Sequence, residues 1–275
     1  MDYDINNINS DIVYGFETEK TFHSEIIIET HVLVRVLSGE MRIVQAEQTY
    51  MFVAGDTFLL PRNLPAAVIK YPKDGRPFKA VSINLRSDRL QHYYKRHTSK
   101  TPQPYHPKIK TFKKHPLLDS LFSSILPYFE MDEVIPGNIV SVKVEEAISI
   151  LRNIDESIDT VLAHFEEPGK INLAEFMEKN FMFNLSREKF GYLTGRSLTT
   201  FKRDFKRAFH TTPQKWLTQK RLEFAHYQLS EKQRKPIDVY FEAGFENLSH
   251  FSYAFKKRFG YSPHALTEKI GVSER

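Results

Sequence analysis

The stretches LTTFKRDFKRAF (198–209) and LSHFSYAFKKRF (248–259) carry one pattern twice at an offset of 50 residues, and this repeat is the strongest structural signal in the chain. In each copy a leucine is followed by three phenylalanines at steps of three or four residues, then by a hydroxyl residue and a proline. Such steps place the four apolar side chains on one face of a helix, where they are predicted to form core. A repeat of this kind indicates one supersecondary unit built twice.

The face opposite the phenylalanines is polar and basic in both copies. In the first copy it carries Thr199, Arg203, Lys206 and Arg207, with Lys202 on its flank. In the second copy it carries Ser249, Tyr253, Lys256 and Lys257, flanked by His250 and Ser252. A short helix, a glycine-containing turn of three or four residues and a second helix form a helix-turn-helix, whose second helix enters the DNA major groove. Two such units in register therefore predict DNA binding.

The segments around the two copies complete the units. A short helix is predicted to end at Leu193 and another to begin at Pro236, with Ser197 and Asn247 capping the second helix of each unit. A helix from Pro213 to about Leu229 would join the units. At 1.5 Å per residue it is about 26 Å long, so it could hold the two reading helices about one DNA turn, 34 Å, apart.

Charge separates the chain into two parts. Residues 170–275 hold 20 Lys and Arg against 11 Asp and Glu, net +9, whereas residues 1–169 are net −4. A basic segment of this kind predicts a polyanion partner for the C-terminal part only. There is no cysteine, which excludes disulfides and thiolate metal sites. The acidic start MDYDINNINSD (1–11) and the short apolar runs predict no secretory signal and no membrane span, so we expect a cytoplasmic protein.

The N-terminal part has the pattern of short strands, with HVLVRVL (31–37) and FKAVSINL (78–85) as examples. Strands at this spacing predict a sandwich or barrel. From Pro116 the apolar period becomes helical, and Pro168-Gly169 breaks the last helix. The expected architecture is multidomain. It comprises an all-β, barrel-like regulatory domain (1–110), a helical linker or dimerisation segment (111–168) and an all-α DNA-binding domain (169–275).

At these residues the chain resembles the AraC/XylS family of bacterial transcription regulators. The stretches that carry the resemblance are GRSLTTFKRDFKRAFHTTPQKWLTQKRLEFAHYQL (195–229) and IDVYFEAGFENLSHFSYAFKKRFGYSP (237–263). The resemblance implies base contacts from Thr199, Lys202, Arg203, His250, Ser252 and Tyr253. It implies backbone contacts from Ser197, Lys206, Arg207, Arg221, Ser249, Lys256 and Lys257, with bracing of the two units as the alternative role for Arg221.

Departures from the family pattern suggest that the two units differ. Tyr240 stands where the family usually has alanine, and Gly191 takes that place in the first unit. Tyr253 replaces a common arginine. We therefore expect the first unit to carry most of the sequence readout and the second to act more as an anchor.

The N-terminal strands resemble the cupin-like regulatory domain of such regulators. The metal-binding pattern of cupins is absent, since Asn63, Ala66 and Lys70 occupy its Gly, His and Asn places. The two remaining histidines, His23 and His31, are interpreted as surface or satisfied core residues. No metal, cofactor or catalytic residue is expected, and a cupin-type metal enzyme fused to a DNA-binding domain is the disfavoured alternative. A small-molecule site is the other candidate, formed by Arg35, Tyr50, Phe52 and Phe58, although Arg35 also fits a surface or interface role.

The function predicted from the sequence is a sequence-specific, DNA-binding transcription regulator, acting as an activator. Its expected partners are double-stranded DNA, a second copy of the chain and RNA polymerase. The N-terminal domain would respond to a small-molecule effector or a regulatory protein. The alternative for residues 116–167 is that they pack on the strands rather than dimerise. A third hypothesis for the chain is a protein-binding adaptor that uses residues 116–167.

Overall fold

A computed structural model of the chain describes residues 11–19, 21–98, 107–131 and 134–272, with the side chains of 21–27 and 269–272 left undescribed. The chain forms two compact units, and the boundary between them along the chain lies between Glu166 and Glu167. The first unit is rich in strands and the second is helical.

The described part of the first unit contains nine strands in two antiparallel sheets. The strands are β1 (Ile12–Glu17), β2 (Thr21–Ile27), β3 (His31–Ser38), β4 (Glu40–Val44), β5 (Thr49–Val53), β6 (Thr57–Leu60), β7 (Pro65–Tyr71), β8 (Phe78–Leu85) and β9 (Lys110–Phe112). One sheet has the order β1-β8-β3-β6-β9 and the other β2-β7-β4-β5. The strand pattern of the sequence predicts the series from β3 to β8, but it misses β1, which precedes the predicted region, and the three-residue β9, which is too short to show alternation.

The two sheets share a core. Val34 and Val36 of β3 and Phe58 of β6 meet Ile43 of β4 and Phe52 of β5 in one buried cluster. Among the described residues the strands of one sheet form ladders only with strands of the same sheet. The expected barrel is therefore corrected to a two-sheet sandwich, since a closed barrel would need a continuous ladder around it.

Helices cover the other face of the β1-containing sheet. They are α1 (Ser87–Arg96), α2 (Pro116–Ser123), α3 (Leu126–Glu130), α4 (Gly137–Ile154) and α5 (Asp159–Leu162). Leu33 of β3 and Ile83 of β8 join Leu118, Val144 and Leu151 of these helices in a second buried cluster. The helical segment after Pro116 thus packs on the sheet, and the predicted last helix is only four residues long.

His31 lies at the edge of this packing and is 1% exposed. Its Nδ1 accepts a hydrogen bond from the backbone N–H of Arg62 at 3.1 Å, so it is a satisfied core histidine. Burial, followed by the charges of Arg62 and His164, lowers the pKa of His31 from 6.5 to about 3. The guanidinium of Arg62 donates to the carbonyls of His164 and Glu166, which anchors the end of the first unit. The side chain of His23 lies outside the described residues.

The second unit is all helical in its described part. Its helices are α6 (Leu173–Asn180), α7 (Arg187–Leu193), α8 (Leu198–Phe209), α9 (Pro213–Ser230), α10 (Pro236–Glu242), α11 (Leu248–Phe259) and α12 (Pro263–Val272). The predicted caps Ser197 and Asn247 are both present. The central helix α9 packs against α8, α10, α11 and α12, which joins the two halves of the unit. Among the described residues, no helix is both long and apolar enough to cross a membrane.

Candidate nucleic-acid interface

The helix α8 has one buried face and one exposed face, as its sequence predicts. Ser197 accepts a hydrogen bond from the N–H of Thr200 and so caps the helix. Phe201 and Phe205 are fully buried, and Phe205 and Phe209 pack on Trp216 of α9. The predicted DNA-contacting residues of this helix are all exposed: Thr199, Lys202, Arg203, Lys206 and Arg207. Ser197 is exposed too, with its hydroxyl engaged in the cap.

The helix α11 repeats the arrangement in the second half. The side chain of Asn247 accepts from the N–H of His250, and Phe251 and Phe255 are fully buried. Its exposed residues are Ser249, His250, Tyr253, Lys256 and Lys257. Ser252 is half-buried, so less of its side chain is accessible to a ligand than the helical pattern predicted. Tyr253 is 68% exposed, so its ring and hydroxyl are open to solvent on this face.

The turns before α8 and α11 are packed against other parts of the unit. They span residues 194–197 and 243–247, so the second turn is longer than the predicted three or four residues. Gly195 has φ +65°, and a Cβ there would lie 2.4 Å from the carbonyl carbon of Gly169. Gly244 has φ +81°, and a Cβ there would lie 2.4 Å from the carbonyl oxygen of Met182. Only glycine fits either position, and the packing fixes where each exposed helix begins.

Arg221 corrects one prediction. It was expected among the residues that contact the DNA backbone, but it is only 9% exposed. Its Nε donates to the carbonyl of Phe181 at 2.8 Å, and its terminal nitrogens donate to the carbonyls of Phe183 at 2.8 Å and Gly244 at 3.1 Å. Because these bonds tie α9 to the turn before α11, Arg221 takes the alternative, bracing role.

An open cleft of about 340 Å³ lies between α7, α8 and the start of α9. Its lining residues are Arg187, Lys202, Lys206, Thr211, Thr212, Pro213 and Gln214. Three cationic side chains around one cleft create a positive potential that suits a phosphate. Arg187 was missed by the sequence reading, although its place directly after the cap Ser186 marks it as the first residue of α7.

A carboxylate lies among the cations of α8. Asp204 Oδ2 accepts from Arg196 Nε at 3.2 Å, and Oδ1 accepts from Arg207 at 3.0 Å and, more distantly, from Arg203 at 3.4 Å. The hydrogen bond from Arg196 is the main cause that lowers the pKa of Asp204, so this carboxyl is charged at neutral pH. Arg196 also donates to the carbonyls of Thr194 at 2.6 Å and Ile171 at 3.1 Å.

Three of the four residues expected to form a small-molecule site, Tyr50, Phe52 and Phe58, come together, but Arg35 does not join them. Phe52 and Phe58 stack with ring centroids 3.6 Å apart inside the sandwich, and Tyr50 stacks on Phe52 from the rim. Arg35 points to the other face of β3, where it pairs with Asp119 at 2.7 Å and lies over the ring of Phe122. The alternation along β3 separates the charge from the aromatics, which corrects the predicted cluster.

Comparison with known proteins agrees with both halves of this architecture. Residues 193–269 match a helix-turn-helix domain family, and residues 31–161 match the ExsA N-terminal regulatory domain family. Over 250 residues the chain is 24% identical to the virulence regulon transcriptional activator VirF of Yersinia enterocolitica, covering 86% of this chain and 89% of the relative. The chain belongs to the AraC family of transcriptional regulators. As a family member with two helix-turn-helix units, it is a DNA-binding transcription regulator.

Other relatives and solved structures resemble the chain over different lengths. The chain is 24% identical over 251 residues to the HTH-type transcriptional regulator ExsA of Pseudomonas aeruginosa, covering 88% of this chain and 87% of that protein. A solved probable AraC family regulator from Rhodopseudomonas palustris is 28% identical over 36% of this chain and 93% of its own, with a TM-score of 0.32. A solved apo form of a ToxT point variant from Vibrio cholerae is 9% identical over 95% of this chain and 98% of its own, with a TM-score of 0.47.

Proposed function

We propose that α8 and α11 are the two reading helices, with α8 supplying most of the base recognition. The observation that carries this assignment is the exposed face of α8, on which five hydroxyl or cationic side chains lie opposite a buried phenylalanine stripe. Arginine, lysine and threonine can bond base edges in the major groove. The base-reading residues of this proposal are Thr199, Lys202 and Arg203 on α8, with His250, Ser252 and Tyr253 on α11.

The remaining exposed residues would hold the DNA backbone. They are Ser197, Lys206 and Arg207 in the first half and Ser249, Lys256 and Lys257 in the second. Arg187 joins them, because it faces the same cleft as Lys202 and Lys206. Contacts to phosphate fix register and orientation without reading sequence, and they make affinity depend on salt.

Selection of duplexes from a random pool by the full-length protein, followed by titration at several salt concentrations, tests the assignment. We expect Arg203→Ala to lose about 1–3 kcal/mol of discrimination at one base pair. We expect Lys257→Ala to weaken selected and scrambled duplexes equally and to reduce the salt slope by about 0.9. The proposal is wrong if Arg203→Ala behaves like Lys257→Ala, or if wild type selects no sequence.

We further propose that the chain is a cytoplasmic activator without catalytic activity, and that RNA polymerase is its partner at the promoter. The support comes from relatives named transcriptional activator or regulator that match across most of its length. An effector or a regulatory protein would act on the first unit, which matches a regulatory domain family. A reporter gene behind the selected duplex would show activation by wild type, and repression would refute the sign.

Dimerisation through the helical segment is a separate proposal. Val142 of α4 is 61% exposed and Leu117 of α2 is 44% exposed, so apolar surface remains on helices that otherwise pack on the sheet. Sedimentation analysis of the full chain should show a dimer, and Val142→Glu should shift it toward monomer. A monomeric wild type at all accessible concentrations would refute the proposal.

A further inference from the structure

Asp204 stands out because a negative charge on a DNA-reading helix normally opposes binding. Its carboxylate lies between Arg203 and Arg207, whose side chains are 72% and 77% exposed, whereas its own side chain is 12% exposed. The carboxylate also accepts a hydrogen bond from Arg196, a residue of the turn before α8 whose side chain is 11% exposed. Arg196 in turn donates to the carbonyl of Thr194 in the same turn. Asp204 is thus fixed to the body of the unit while the two arginines it contacts remain open to solvent.

The second helix-turn-helix lacks this arrangement. At the 50-residue offset Ala254 corresponds to Asp204, and Glu246 corresponds to Arg196. Glu246 accepts from Asn184 at 2.9 Å instead. The turn before α11 is braced by Arg221 from α9. A carboxylate at the position of Asp204 is therefore not a requirement of the helix-turn-helix fold.

We propose that Asp204 is a positioning residue for sequence recognition, which holds the base-reading Arg203, together with the phosphate-contacting Arg207, in place on the outer face of α8 before DNA arrives. This inference rests on the proposed role of α8. A free arginine loses much rotamer freedom when it binds, and one already held in place loses less. The carboxylate also repels phosphate, so it weakens attraction to DNA of any sequence. Asp204 therefore raises discrimination at some cost in general affinity.

Asp204→Asn in the full chain separates these two effects. Asparagine keeps the shape and an oxygen that can accept from Arg196, but it removes the charge. Dissociation constants are measured for a duplex selected by wild type from a random pool and for a scrambled duplex of the same composition. We expect the scrambled duplex to bind as tightly as before or tighter, and the ratio of the two constants to fall about tenfold, the size of one lost base-reading arginine.

Glu246→Gln is the matched control, because it removes one negative charge from the turn before α11 without changing the contacts of Arg203 or Arg207. It should raise general affinity and keep the wild-type ratio. A double-mutant cycle with Arg203→Ala adds a readout that a structural role would not move. If Asp204 acts through Arg203, the two losses of discrimination are less than additive.

Three results would overturn the inference. The first is a wild-type ratio in Asp204→Asn while wild type itself remains selective, which leaves the role of α8 intact. The second is equal weakening of both duplexes together with a lower melting temperature, which assigns Asp204 to stability. The third is full additivity with Arg203→Ala. A wild type that selects no sequence would instead refute the proposed role of α8, and this inference with it.

Discussion

Replacing Arg221 by methionine should destabilise the second unit strongly. The change removes the donors to three backbone carbonyls and to the side chain of Asn184, the latter at 3.3 Å. A hydrogen bond to a charged group contributes about 1.5–3 kcal/mol, but deleting the buried guanidinium also removes its desolvation cost. Each carbonyl left without its donor costs about 1–3 kcal/mol, and the removed desolvation cost offsets part of that sum, so we expect a net loss of about 3–5 kcal/mol. For a domain of about 100 residues this lowers the melting temperature by roughly 12–20 °C.

Calorimetry of the full chain would follow the transition of the second unit. Lys220→Met is the matched control, since it removes the same charge from the neighbouring residue, which forms a half-exposed pair with Glu178 at 2.8 Å. Such a pair is worth about 0–1 kcal/mol, so the control should melt near wild type. An unchanged melting temperature in Arg221→Met, combined with a salt slope of DNA binding reduced by about 0.9, would refute the bracing role and restore the backbone-contact role.

Three further outcomes test the packing, the buried histidine and the cleft. Gly195→Ala should lower the free energy of unfolding more than Gly260→Ala. Both glycines have positive φ, +65° and +84°, but only at Gly195 would the added Cβ clash with backbone atoms. Equal losses of stability in the two variants would contradict this packing. Lowering the pH from about 7.5 to about 5 should reduce the free energy of unfolding by about 2 kcal/mol through His31. The pKa of His31 is about 3 in the folded state and 6.5 as the reference value, so over this range the unfolded state takes up a proton and the folded state does not. Denaturant titrations should show a smaller loss in His31→Gln. Arg187→Ala should weaken selected and scrambled duplexes alike, and a selective loss would contradict a backbone role.

The local features of the helical unit follow from residues that are close together in the sequence. The phenylalanine stripe of α8, the cap at Ser197 and the proline start of α9 depend on residues within one or two helical turns. Helical periodicity and capping chemistry act over that range, so a repeat of 50 residues was enough to predict α8 and α11 and most of their exposed side chains.

The roles of residues whose partners are distant in sequence became visible in the folded chain alone. The carbonyls bonded by Arg221 lie 23 to 40 residues away, and the Asp119 paired with Arg35 lies 84 residues away. The face of β3 that meets the helices rather than the second sheet was likewise set by packing with segments distant in the chain, namely the helices after Pro116 on one face and β4 and β5 on the other. Arginine suits a surface, an interface or a buried brace equally well in sequence, because the choice depends on which carbonyls and carboxylates the fold leaves without another partner.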